Sequence, residues 1–228
     1  MGNAAGHSGA VTCLVFAERC KSADGVQAHD LLVSGSADRT IKVWSHESQR
    51  SGLSCIQTLT GHGGTVTGMA YGGGQHAQRL VSCSTDRTIR IWAPSEGRSV
   101  LLYPFFVEVQ TIASPTWFTS VVVGTAQLQT DPPVIFAGDA KGALSIIKPH
   151  RADPTSKESS HHHTGQSRGG GLVKHNEATV ERFKLHSLGI HSMIMIEQQN
   201  LVVTMGRDNC IRIFDVPGRS AFLTIQNT

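Results

Sequence analysis

Apolar residues in this chain fall at alternate positions in short runs, and Gly, Asp, Asn or Pro interrupts each run. Alternation with period two places successive side chains on opposite faces of an extended segment. The runs are rich in Val, Ile and Thr, which favours strands over helices. Four groups of four strands are predicted. The first group covers 10–16, 30–34, 40–44 and 53–59. The second covers 65–71, 79–82, 88–92 and a longer outer strand within 99–111. The third covers 117–124, 133–137, 143–148 and 179–185. The fourth covers 190–197, 201–204, 210–214 and 221–225. No segment shows the periodicity of an amphipathic helix.

The groups are copies of one unit. SADRTIKVW, ending at Trp44, returns as STDRTIRIW, ending at Trp92, and in worn form as GRDNCIRIF, ending at Phe214. A fainter copy, VIFAGDAKGALSII, occupies 134–147. A second marker, Gly6-His7 and Gly61-His62, precedes the first strand of its unit by a fixed offset, and Leu185-His186 stands in the same relation to Ile190. A unit this short cannot bury its own apolar face, so the copies must stack.

The Gly-His marker and the strand–turn–strand ending in Trp resemble the WD-repeat β-propeller family. The resemblance implies an all-β fold of four four-stranded blades, at about 6–60, 61–112, 113–185 and 186–228, forming one domain. It also implies a hydrogen-bonded set in each blade: His7, Ser34, Asp38 and Trp44 in the first, and His62, Ser82, Asp86 and Trp92 in the second. The fourth is His186, Thr204 and Asp208, with Phe214 lacking the indole N–H. The third unit has Ser114, Ala137, Lys141 and Ile147 at these places, so it is expected to lack the set and to rely on apolar packing. Asp–His–Ser trios that recur once per unit read as structural, because a hydrolase needs one such site with an oxyanion hole. At a seven-blade pitch of roughly 51°, four blades span only about 205°. Either the chain is part of a longer propeller, or another chain or a second copy completes the ring, or four blades close or stay open alone.

Composition narrows the function. The net charge of +3 is too small to argue for nucleic acid by itself. The resemblance implies that Arg39, Arg87, Lys141 and Arg207 lie in the turns of one face, a possible partner-binding surface. The resemblance implies a non-catalytic protein–protein scaffold as the expected function, and an RNA-binding propeller using this basic face is the alternative. Five cysteines without metal-ligand spacing read as thiols of a reducing compartment, so a cytoplasmic setting, with cytoskeletal or nuclear ones open, is expected. No apolar run reaches membrane-spanning length. Residues 150–176 are Ser-, Gly- and His-rich and are expected to form a flexible insertion. Its three adjacent His residues, 161–163, make a poor metal site, so no metal or cofactor is expected. Phe105 and Phe106 are expected to pack between the second and third blades, the alternative being an exposed aromatic anchor.

Overall fold

In the computed structural model the described residues are 6–21, 28–46, 52–72, 78–94, 105–124, 133–149 and 178–226; the His-rich stretch 150–176, expected as a flexible insertion, lies outside them. The first sheet runs β1 (Val11–Lys21), β2 (Ala28–Ser36), β3 (Ile41–His46), β4 (Leu53–Leu59). The second is β5 (Val66–Gly72), β6 (Arg79–Ser84), β7 (Thr88–Pro94), β8 (Phe106–Ala113). The third is β9 (Phe118–Val123), β10 (Ile135–Asp139), β11 (Ala143–Lys148), β12 (Thr179–Lys184), and the fourth is β13 (Ile190–Ile196), β14 (Leu201–Gly206), β15 (Cys210–Asp215), β16 (Ser220–Gln226). Each sheet is an antiparallel meander in sequence order. The helical content of the described residues is one 3-10 turn at Glu197–Gln199.

Each sheet has two faces, and register assigns them. In the first, Ser34 pairs with Leu14 and Lys42, while the neighbouring row carries Val15, Val33, Val43 and Gln57. The apolar row of one blade lies against the Ser- and Trp-bearing face of the next. Three clusters result, one per joint. Leu31, Val33 and Ile41 meet Met69, Leu80 and Trp92. Val81, Ile89 and Ile91 meet Val121, Ile135 and Ile147. Phe136, Leu144 and Ile146 meet Met193, Val202 and Phe214. Phe106 belongs to the first cluster, beside Tyr71 in an edge-to-face contact of 6.4 Å. It therefore packs between the first and second blades, not the second and third, because it opens β8 on the face turned toward the preceding sheet; Phe105 is exposed.

A polar stitch closes each joint. A register shift interrupts the innermost strand at Thr12, Thr67 and Thr119. Bulges re-aim a side chain, and here each hydroxyl donates to a carbonyl of the next blade: Thr12 to Val66 (2.5 Å), Thr67 to Phe118 (2.8 Å), Thr119 to Ile190 (2.5 Å). The first joint adds Gln57, whose side-chain amide bonds both the N–H and the carbonyl of Phe106 (2.9 and 2.7 Å). The described strands of the first and fourth sheets do not pack on each other, and the ring stays open.

Candidate functional site

The turns joining the second and third strands of each blade share one rim. In the first two blades Ser36–Arg39 and Ser84–Arg87 close on themselves, with the Arg N–H donating to the Ser carbonyl at 3.2 Å. The last residue of the turn takes a left-handed conformation: Arg39 at φ 71°, Arg87 at 68°, Gly142 at 82°, Asn209 at 58°. A type I turn followed by a left-handed residue is a standard hairpin loop. The conformation disfavours a bulky L residue, so Arg39 and Arg87 are held in it by other bonds.

Those bonds come from the aspartate of the turn. Asp38 accepts from the N–H of Thr40 and of Ser8 (both 2.9 Å) and from the Thr40 hydroxyl (2.7 Å). Asp86 accepts the same set from Thr88 (2.9 and 2.7 Å) and Gly63 (2.8 Å). His7 Nδ1 lies 2.9 Å from Asp38, its Nε2 lies 2.8 Å from Ser34 Oγ, and the Trp44 indole N–H donates to Ser34 at 2.8 Å. In the second blade the distances are 2.9, 2.8 and 3.0 Å for His62–Asp86, His62–Ser82 and Trp92–Ser82. The donors run in one direction: indole N–H to hydroxyl, hydroxyl to Nε2, Nδ1–H to carboxylate. Every polar group of this Trp–Ser–His–Asp series then has a partner, as a low-dielectric network requires. Burial pushes the Asp86 carboxyl up, but the bonds from Thr88, His62 and Gly63 outweigh it and bring the carboxyl down to about 2. Asp38 and Asp208 are also held below the ordinary carboxylate range by their donors, against the opposing effect of burial. Burial lowers His62, against the pull of Asp86.

The fourth blade keeps His186–Asp208 and His186–Thr204, both 2.8 Å. Cys210 stands where the first blades have Thr40 and Thr88. The Arg212 guanidinium supplies the missing donor to Asp208 at 2.9 Å. The third blade departs from expectation. It does not rest on apolar packing alone, because Asp139 rebuilds a network. Its fully buried carboxylate accepts from the N–H groups of Lys141 and Ala143 (2.8 and 2.9 Å) and from the Thr116 hydroxyl (2.8 Å). Arg182, on β12, pairs with Asp139 and donates to Thr116 at 2.8 Å. Asp139 sits where Ser36 and Ser84 sit, two positions ahead of Lys141, and takes over both the Ser and the Asp roles. Ala137 and Ile147 carry no part of this network, and Ser114 joins it only by accepting the Thr116 N–H at 3.4 Å. The GDAK turn of the sequence held the signal, since an Asp two residues before a turn amide can cap it. Arg182 and Arg212 carry no such mark in the sequence.

The rim above these networks presents Arg39, Arg87, Lys141 and Arg207, all exposed. They do not share one turn position, since Lys141 stands at the place of Asp38 and Arg207 at the place of Ala37. Two apolar residues join them: Trp117 and Leu188 are exposed in the links that enter the third and fourth blades. Sequence reasoning placed Trp117 inside a strand; it precedes β9 and stands where the first blade has Ala10. A groove of about 480 Å³ runs along the innermost strands, lined in part by Cys13, Met69, Tyr71, Val121 and His191. No group of His, Cys, Asp or Glu among the described residues could hold a metal ion. All five cysteines are free thiols, with Cys20, Cys83 and Cys210 buried; burial raises Cys83 to about 12 despite its bond from Thr67. No helix among the described residues is long and apolar enough to cross a membrane.

The sequence profile of the WD domain, G-beta repeat, matches residues 3–45 and 53–93, which carry most of the first two blades. The fold is similar to the solved structure of U3-55K, with a TM-score of 0.61 and 18% identity over 98% of this chain and 54% of that one. It is similar also to the crystal structure of RRP9 WD40 repeats, with a TM-score of 0.62 and 18% identity over 98% of this chain and 53% of that one. The chain thus spans about half the length of the solved structures it matches. No curated protein sequence matches it.

Proposed function

We propose that this chain, whose first two blades match the WD-repeat profile, is a non-catalytic WD-repeat scaffold that binds other proteins through the rim and brings them into one assembly. WD repeats in general mediate protein interactions and complex assembly. The observation that carries the reading is the rim itself. Four cations project from turns that hydrogen-bonded carboxylates hold in place, and two exposed apolar side chains project from the links beside them. A preorganised surface loses little entropy on binding. Trp and Arg are the side chains that most often dominate an interface. The chemistry suits an acidic segment carrying an apolar anchor. The free thiols support a reducing, cytoplasmic setting.

The His–Ser–Asp sets argue for structure over catalysis. Each hydroxyl is engaged by its own blade, and the set recurs in three blades.

The test is affinity capture from the native source with the wild-type chain and with a rim variant carrying Arg39→Glu, Arg87→Glu, Lys141→Glu and Trp117→Ala. The scaffold reading expects a defined set of proteins with the wild type and at least a tenfold loss with the variant. Unchanged capture would reject the rim. RNA captured with a steep salt dependence, lost in the same variant, would move the function to the nucleic-acid alternative.

A further inference from the structure

The two free ends of the arc are the two halves of one joint. The fourth blade offers the apolar face that in the other blades covers the next blade's Ser-bearing face. Ile211 is 36% exposed, whereas its counterparts Ile41, Ile89 and Leu144 are at most 1% exposed. Ile194, Val203, Ile213 and Leu223 form the adjoining row. The first blade offers the reverse face. Leu14 is 61% exposed, whereas Met69, Val121 and Met193 at the same place are 8%, 4% and 6% exposed. Phe16 is exposed beside it, and Trp44 is half-buried where Trp92 is enclosed.

Terminal repeats that end in water carry a polar outer face. Neither face here is polar. Each keeps the apolar residues that the internal joints use, and an exposed apolar patch of this kind marks an interaction site. The stitch is kept as well. His191 holds the bulge position of Thr12, Thr67 and Thr119, where each side chain donates to the next blade. At the outer edge, Leu223 of the fourth blade and Leu53 of the first are exposed. They stand in register where Gln57 and Phe106 meet across the first joint.

We propose that a second copy of this chain docks head to tail, the fourth blade of one copy covering the first blade of the other. The occupant is argued from complementarity: each open face matches the half-joint at the opposite end of the same chain, and three joints of this type exist within it. The contact is heterologous. It closes into a ring if the rotation between copies permits and otherwise extends. It does not depend on the rim.

The test uses the whole 228-residue chain and two variants, Phe16→Glu on the first blade and Ile194→Glu on the fourth, in sedimentation and light scattering. Both replaced side chains are more than half exposed in one copy, so each variant should keep its β circular dichroism. The wild type is expected at a multiple of 24.4 kDa. Each variant alone should stay at the mass of one chain, because every copy lacks the same half-joint. Mixed in equal amounts, the two variants should form a one-to-one pair, since one intact half remains on each. A wild type that stays single at high concentration would overturn the proposal. So would a variant that still pairs with itself, or a mixture that does not associate.

Discussion

Asp139 shows how much one carboxylate can organise. Two backbone amides, a hydroxyl and a guanidinium converge on it at zero exposure. Removing it leaves those donors without an acceptor, and each buried unsatisfied polar group costs about 1–3 kcal/mol. Asp139→Ala is therefore expected to destabilise the chain by about 3 kcal/mol, read from the denaturant midpoint with an unchanged slope. Lys141→Ala, at the position where the repeat pattern put the aspartate, should stay within about 0.5 kcal/mol of wild type because that side chain faces water. The sequence pattern found the turn and missed the residue that holds it. Alignment counts positions, while a carboxylate two residues earlier still reaches the Ala143 amide, the counterpart of the Thr40 amide that Asp38 holds. The DRT turns were legible because their Asp and Thr repeat together. When Ala143 and Cys210 replace the Thr, an Arg from β12 or β15 replaces its hydroxyl, and nothing local in the sequence announces that substitution.

At the scale of the element, every predicted strand is present, with ends shifted by a few residues. The period-two alternation was strong because each strand has an apolar row to place on a neighbour. The Thr stitches were visible only as a Thr in second place in three inner strands, and their meaning depends on a bulge that propensity does not encode. Trp44 and Trp92, which end the two clearest copies, look equivalent in sequence and are not equivalent in place. Trp92 is enclosed by the first blade, while Trp44 lies half-buried on an uncovered face. Trp92→Ala is expected to cost about 3–5 kcal/mol, as large-to-small changes in a core do. Trp44→Ala should cost roughly half of that or less in the single chain, because water already reaches part of the ring. Equilibrium unfolding of the two variants side by side, at a concentration where the chain is single, measures the difference.

For the whole molecule the three turn carboxylates act together on acid stability. Their folded pKa values lie below the ordinary 3.8, with Asp86 at about 2. A depressed carboxylate contributes stability that is present above the unfolded value and is lost as pH falls through the folded one. His62, lowered by burial, follows the same sign, and its contribution begins to fall away below 6.5. The thermal midpoint is therefore expected to decline gently below about pH 6.5 and steeply from about pH 4 toward pH 2. Asp86→Asn should start lower and show a shallower acid limb. A midpoint that held level down to pH 2 would contradict the assigned bonds.

Three separate apolar clusters, one at each joint and none common to all, also decide how damage spreads. The interior resembles mortar between bricks, not a single keystone. A void opened in one seam weakens the two bricks beside it and leaves the farthest seam intact. A harmful substitution should thus loosen the arc at one place, and the detached end would swing as an intact plate before it melted.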